Sequence, residues 1–79
     1  MAVVDDLAKI FADTFAHDEA RFSAETVPDD VKKWDSIGHM TMVAAMEEHF
    51  GVQFEVDEIM EMVDVKKILE ILDGKGIKD

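Results

Sequence analysis

Residues 36–51 decide the fold, and they read SIGHMTMVAAMEEHFG. Apolar side chains recur there at steps of three and four residues, which is typical of one face of an α-helix. That face consists of Ile37, Met40, Val43, Met46 or Glu47, and Phe50. Gly51 follows directly as the expected C-terminal stop. At the other end, Asp35 and Ser36 are both residue types that favour the N-cap, so either is a candidate for it. The stretch predicts a helix over 36–50.

Three further segments predict helices. The first covers about 4–16, with acidic residues in its first turn, and its inward face is Val4, Leu7, Ile10, Phe11 and Phe15. A short helix is predicted over 57–62 and a last helix over 65–73. Asp64 is the expected N-cap of the last helix, whose inward face is Val65, Ile68, Leu69 and Leu72. Together these segments predict an all-α fold, a small antiparallel bundle of three main helices plus one short helix, as a single domain over 1–79.

The connection between the first two helices, about 17–34, is long for a compact domain, and long ordered loops are often functional. Val27-Pro28-Asp29-Asp30 is a turn signal. We expect Phe22, Val27 and Val31 to attach the connection to the core, and a helical turn at 20–22 is left open. Residues 52–56 alternate like a strand, but no second strand is available to pair with them. We therefore expect an extended loop there.

The balance of charge is strongly acidic, with 19 acidic against 8 basic residues and a net charge of −11. Such a surface disfavours nucleic acid and predicts partner proteins with basic patches. The chain has no cysteine, which excludes disulfides and thiolate metal sites. Its N-terminus does not resemble a signal peptide, and no apolar segment is long enough to cross a bilayer. We expect a monomeric cytoplasmic protein without membrane insertion.

Ser36 is the most informative single residue. At a helix start, its hydroxyl lies near free N–H donors and the positive end of the helix dipole, which suit an attached anion. Gly38 is unusual there, because Gly costs a helix about 0.5–1 kcal/mol relative to Ala. Either this surface must stay uncluttered, or the first turn tolerates a poor helix former. Taken alone, the serine is explained more simply as a helix cap.

Asp35-Ser36-Ile37, followed by a helix that ends Glu47-Glu48-His49-Phe50-Gly51, resembles the acyl carrier proteins, whose signature is Asp-Ser-Leu at the head of the second helix. The resemblance continues through Ile59 and Asp64-Val65 and covers nearly the whole chain. It implies that a phosphopantetheinyl transferase attaches a 4′-phosphopantetheine arm from coenzyme A to Ser36. The arm would hold an acyl or aminoacyl cargo as a thioester and present it to the enzymes that load and transfer it. The protein itself would catalyse no reaction.

The resemblance also implies contacts with partners around the serine. By carry-over, Asp35 is the acidic neighbour that the transferase uses, and Ile37 takes the place of the signature leucine. The exposed face of the helix is expected to present Gly38, Thr41, Ala45 and Glu48. Carriers of fatty-acid synthesis have more carboxylates on this face, whereas the Trp-Asp-Ser and Gly-His flanks resemble those of specialised carriers, including aminoacyl and secondary-pathway types. The resemblance therefore implies a specialised member, acting in fatty-acid or secondary-metabolite biosynthesis.

Other functions fit the residues less well. Asp35, Ser36 and His39 are the residue types of a nucleophilic triad, but they crowd one helical turn without a separate oxyanion hole. We expect His39 to be solvated or to contact the phosphate of the arm. A calcium loop fails because Lys33 and Trp34 stand where a ligand and a glycine belong, and no metal site is expected. The strongest alternative is a non-carrier, acidic helical interaction module in which Ser36 is only a helix cap.

The methionines allow two interpretations. Flexible thioether side chains form adaptable binding surfaces, but they also fill irregular cores. The methionines in question are Met40, Met42, Met46, Met60 and Met62. We expect most of these five to lie in the core. The two interpretations combine in the hypothesis that a deformable bundle core admits a fatty chain.

Overall fold

The computed structural model describes residues 3–77, and within them the chain forms helices and no strand. The α-helices are α1 (Val3–Phe15), α2 (Ser36–Phe50), α3 (Val56–Glu61) and α4 (Val65–Gly74). The predicted all-α fold, with three main helices and one short helix, is confirmed.

The helix ends lie where the cap residues place them. Gly51 has a left-handed φ of 67° and donates its N–H to the Glu47 carbonyl over 2.9 Å, so it ends α2 as predicted. The Asp64 carboxylate accepts from the Lys67 N–H over 2.8 Å and caps α4, also as predicted. Each helix boundary is within one residue of its predicted position.

The core is formed by apolar side chains from α1, α2 and α4, from the long connection, and from Phe54 and Met62 on either side of α3. Leu7 and Phe11 of α1 are fully buried at its centre. The buried apolar side chains are Val3, Leu7, Ala8, Ile10, Phe11, Phe15, Phe22, Val31, Met42, Val43, Met46, Phe54, Met62, Val65, Ile68 and Leu72. The inward faces predicted for α1 and α4 agree with this set, except that Val4 and Leu69 are only partly buried.

The predicted inward face of α2 is wrong in its first half. Ile37 is 81% exposed and Met40 is 53% exposed, whereas Met42, Val43 and Met46 point into the core. The reason is that α2 is apolar or small on nearly every side between Ile37 and Met46, so spacing alone does not select the buried face.

The connection between α1 and α2 contains two 3₁₀ turns, Glu19–Arg21 and Pro28–Asp30. Phe22 and Val31 are buried as predicted, but Val27 is 39% exposed because it precedes the second turn. The helical turn left open near 20–22 therefore exists, shifted by one residue. Residues 52–55 are extended without a partner strand, as predicted, while Val56 already begins α3.

A buried threonine joins this connection to α4. The Thr26 hydroxyl accepts from the Ser23 N–H over 2.9 Å, and the Thr26 carbonyl accepts from the Val65 N–H over 3.1 Å. A buried hydroxyl and carbonyl need such partners, because an unpaired polar group costs about 1–3 kcal/mol. The connection is therefore held by polar bonds as well as by apolar side chains.

Aromatic packing holds the end of the connection beside α2. The ring of Trp34 meets Phe11 edge-on, with centroids 5.1 Å apart, and lies 6.1 Å from Phe15. Edge-to-face pairs of this kind contribute about 0.5–1.5 kcal/mol beyond their burial. The residues that precede Ser36 are thus tied to α1.

Candidate functional site

The site is built around the first residue of α2, which is Ser36. The Asp35 carboxylate accepts from the Gly38 N–H over 2.9 Å, and the Asp35 carbonyl accepts from the His39 N–H over 2.7 Å. Of the two candidates for the N-cap, Asp35 is therefore the residue that serves. Ser36 is exposed, and no hydrogen bond of its hydroxyl is found within residues 3–77. Its oxygen is free for covalent chemistry.

Gly38 is required by a close approach of the backbone. Lys33 adopts a left-handed φ of 68°, and its carbonyl packs against the first turn of α2. A Cβ atom at position 38 would clash with that carbonyl oxygen and would lie 2.7 Å from Cε1 of Phe15. Neither sequence-based explanation, an uncluttered surface or simple tolerance, includes this contact between the connection and the helix.

His39 is engaged on both ring nitrogens. The Trp34 indole N–H donates to His39 Nδ1 over 2.8 Å, and His39 Nε2 lies 2.9 Å from the carbonyl oxygen of Ile59 in α3. The Trp34 and His39 rings are also nearly parallel, at 12°. The expectation that His39 is solvated is therefore wrong, because the ring is half-buried and its nitrogens are already paired, while a contact with the phosphate of the arm stays a prediction.

A cleft of about 500 Å³ opens beside Ser36, between α2 and α3. Its walls are mostly apolar, and it is lined by Trp34, Asp35, Ser36, His39, Met40, Ile59, Met60 and Met62. Met42, Met46 and Met62 are buried, so most of the five methionines are core as predicted, whereas Met40 and Met60 remain largely exposed at the cleft. The cleft suits a long flexible group that starts at the Ser36 hydroxyl.

Beyond its cap residue Asp35, the first part of α2 carries no charged side chain of Asp, Glu, Lys or Arg. Residues 36–46 contain no Asp, Glu, Lys or Arg. Glu47 is half-buried and accepts from the Phe54 N–H over 2.9 Å, which leaves Glu48 as the exposed carboxylate of α2. Apart from Asp35, the surface of α2 beside Ser36 therefore carries no carboxylate, although the whole molecule is acidic.

Glu58 on α3 is held by two donors. Its carboxylate accepts from the Glu55 N–H over 2.8 Å and pairs with Lys75 Nζ at 3.0 Å. The Glu55 N–H first, and then Lys75, lower the pKa of Glu58, because both favour the charged carboxylate. Within residues 3–77, no group of His, Asp and Glu could hold a metal ion, and no helix is long and apolar enough to cross a membrane.

The residues predicted to contact partners fall into two groups. Asp35, Ile37, Thr41 and Glu48 are exposed around and beyond Ser36. Gly38 packs against the connection and Ala45 packs against the core, so both are half-buried.

Sequence reasoning missed that Trp34, Met40 and Met60 line the cleft. The signal that could have identified Met40 is its position four residues after Ser36, which places both side chains on the same side of the helix.

Comparison with known proteins agrees with this geometry. A family model described as a phosphopantetheine attachment site matches residues 5–72. The solution NMR structure of a holo acyl carrier protein from Geobacter metallireducens is similar over 95% of this chain and 86% of that chain, with a TM-score of 0.80 and 29% sequence identity. None of the curated proteins compared matches the chain.

The chain therefore belongs to the phosphopantetheine-binding family of acyl carrier proteins. Such a protein is a non-catalytic carrier with a covalently attached phosphopantetheine group, which interacts with a phosphopantetheinyl transferase and with acyl-handling enzymes. The predicted carrier class is confirmed, and the alternative of a non-carrier interaction module is set aside.

Proposed function

We propose that Ser36 is the residue that carries the arm, and that the protein is a specialised carrier of acyl or aminoacyl groups. The observation that supports the site most strongly is the exposed hydroxyl of Ser36, which has no hydrogen-bond partner within residues 3–77, at the start of a helix that Asp35 already caps. The cleft that begins beside this hydroxyl supports the same assignment. When attached, the arm supplies a terminal thiol that holds the cargo as a thioester.

The residues around Ser36 have different roles in the proposed site. Asp35 satisfies the Gly38 N–H, so the serine is not needed as a cap and its oxygen stays available. The N–H groups of Ser36 and Ile37 precede the capped positions, and with the helix dipole they favour a phosphodiester at the serine.

We propose that partners recognise the exposed residues Asp35, Ile37, Thr41 and Glu48, with Gly38 and Ala45 shaping the backbone and packing beneath them. The first three turns of α2 carry no carboxylate, which supports a specialised rather than a housekeeping carrier. Basic patches on partners would meet the acidic residues elsewhere on the molecule. The proposal includes a cytoplasmic monomer.

The experiment that tests the proposal is enzymatic loading followed by intact mass measurement. The protein lacking the arm is incubated with coenzyme A and a broad-specificity phosphopantetheinyl transferase. We expect the wild-type chain to gain the mass of one phosphopantetheine and the Ser36→Ala variant to gain none.

The chain offers a matched control, because Ser23 is its only other serine. Ser23 is also exposed, but it lies in the connection, so Ser23→Ala should load like the wild type. A gain that survives Ser36→Ala, or the absence of any gain in the wild type, contradicts the assignment.

A further inference from the structure

His39 connects three parts of the molecule at the cleft. Its ring accepts a hydrogen bond from Trp34, two residues before Ser36, and contacts the carbonyl of Ile59 near the end of α3. That carbonyl also accepts from the Met62 N–H over 3.3 Å, so His39 supplies a second donor to the C-terminal end of α3. Through one side chain, the connection, α2 and α3 are held together beside Ser36.

The donors determine the protonation state of the ring. An indole nitrogen only donates, so His39 Nδ1 must accept from Trp34 and carry no proton. The neutral ring then has its proton on Nε2, which donates to the Ile59 carbonyl. A second proton on Nδ1 would face the indole N–H, because both groups would then be donors. The geometry is therefore compatible only with neutral His39.

Few charges surround this arrangement. Among the residues that line the cleft, Asp35 is the one with a charged side chain, and its carboxylate is engaged in the cap of α2. The contribution of α3 to the cleft is Ile59 and Met60, both uncharged, while Glu58 of α3 pairs with Lys75. From the connection, the ring faces Trp34. No carboxylate in residues 3–77 hydrogen-bonds either ring nitrogen.

We propose that His39 is a positioning residue for the loading of Ser36, and that its neutral ring holds Trp34 and α3 in place while its protonation releases Trp34. This inference rests on the proposed role of Ser36. Protonation leaves the Nε2–H donor to Ile59 intact but removes the acceptor of Trp34. Acid therefore loosens the connection directly before the serine without detaching α3 from α2.

Two substitutions test separately the hydrogen bond from Trp34 and the contact with the Ile59 carbonyl. In His39→Asn the amide oxygen takes the place of Nδ1, which keeps an acceptor for Trp34 and loses the donor to α3. In His39→Gln the amide nitrogen takes the place of Nε2, which keeps the donor to α3 and loses the acceptor. His49→Gln is the matched control, because His49 is an exposed histidine of the same helix, 3.7 Å from Asp6.

The first measurement follows the indole N–H resonance of Trp34 in the protein without its arm, as the pH is lowered from about 8 to about 5. Trp34 is the only tryptophan, so the signal is unambiguous. We expect a single transition in the wild type and in His49→Gln, together with weaker protection of the indole proton in acid, measured as its exchange rate relative to the intrinsic rate at the same pH. His39→Gln should show the acid form at every pH, and His39→Asn should show no transition. A transition that survives in either His39 variant, or none in the wild type, overturns the inference.

The second measurement compares kcat/KM for transferase loading of Ser36 in His39→Gln and His49→Gln across the same pH range. Taking the ratio at each pH cancels the pH dependence of the transferase itself. We expect His39→Gln to load about threefold to tenfold more slowly at the alkaline end, because a displaced reacting group loses rate. The ratio should approach one in acid, where the control has released Trp34 as well. A ratio that stays constant with pH overturns the positioning role, whereas failure of the wild type to load at all would refute the assignment of Ser36 instead.

Discussion

Because Gly38 has a hydrogen atom in place of a side chain, the connection can pack directly against α2. The Lys33 carbonyl and the Phe15 ring occupy the space that a Cβ atom would take. The usual advantage of Ala over Gly in a helix is therefore reversed at this position. Any side chain at position 38 would push the Lys33 end of the connection away from α2, close to Ser36.

We predict that Gly38→Ala lowers the free energy of unfolding by about 1–3 kcal/mol, the range for overpacking a well-packed site. The measurement is urea denaturation followed by circular dichroism. Gly74→Ala is the matched control, because a Cβ there meets nothing within 4 Å. It should leave stability unchanged or raise it slightly, since Ala is the better helix former. Equal effects at the two positions would contradict the close approach.

The two residues at the start of α2 have separate roles. We predict that Asp35→Ala costs about 0.5–2 kcal/mol of stability, because it removes the acceptor for the Gly38 N–H. Ser36→Ala should change stability by less than about 0.5 kcal/mol, as expected for an exposed residue without a partner. Thermal unfolding of both variants makes the comparison. A larger loss for Ser36→Ala than for Asp35→Ala would show that the serine, not the aspartate, is the cap.

At the scale of the element, α3 depends most on its surroundings. Its six residues are far fewer than an isolated helix needs in water, so its caps and its contacts must stabilise it. At its first turn, the Glu55 N–H and Lys75 both act on the Glu58 carboxylate, and at its end His39 acts on the Ile59 carbonyl. The α3 wall of the cleft is thus set by polar contacts.

The lowered pKa of Glu58 gives a prediction with a definite sign. The Glu55 N–H and Lys75 bind the ionised carboxylate in the folded state, so the stabilisation is present above the ordinary pKa of 4.5 and is lost as pH falls through the lower folded value. We expect wild type to be more stable than Glu58→Gln at neutral pH, with the difference shrinking in acid below about pH 4.5. Denaturation of both proteins from neutral pH to pH 3 measures it. A difference that stays constant or grows in acid would contradict the contacts assigned to Glu58.

The elements differ in how far the sequence predicts them. Helix ends followed from residues with strong local preferences, such as Gly51 and Asp64, and these were located within one residue. The buried face of α2 was predicted only in part, with Val43 and Met46 correct, because polarity does not distinguish the sides of the helix from Ile37 to Met46. The pairing of Trp34 with His39 and Ile59 depends on how the connection and α3 fold back, which local patterns do not encode.

At the scale of the whole molecule, the net charge of −11 is confined to a body of about 28 × 27 × 20 Å. At 0.1 M salt the Debye length is about 10 Å, so neighbouring carboxylates repel one another while charges on opposite sides of the molecule are largely screened; at lower salt the repulsion reaches further. The unfolded chain spreads the same charge over a larger volume. Repulsion therefore destabilises the folded state.

We predict that added sodium chloride raises the melting temperature at neutral pH, because it screens this repulsion. Differential scanning calorimetry between about 0.02 and 0.5 M salt measures the effect. The Debye length falls steeply over this range of salt concentration. Near the isoelectric point, about 4.4, the net repulsion vanishes and the rise should disappear. A melting temperature that falls with salt at neutral pH would show that ion pairs outweigh repulsion.

The function itself also belongs to the scale of the whole molecule. Local chemistry at Ser36 indicates only an anion-compatible hydroxyl at a helix start. The phosphopantetheine group follows from similarity over residues 5–72, because a carrier is defined by the arrangement of its helices and by its partners.

The most direct test of the central claim is fragmentation mass spectrometry of the intact protein purified from the cells that make it naturally. If Ser36 carries the arm, a phosphopantetheine-sized addition will appear on every fragment that contains residue 36 and on none that lacks it. Release of the arm should restore the unmodified mass and expose whatever cargo it held. An addition located on Ser23 or any other residue, or a protein without phosphopantetheine, would contradict the assignment of Ser36.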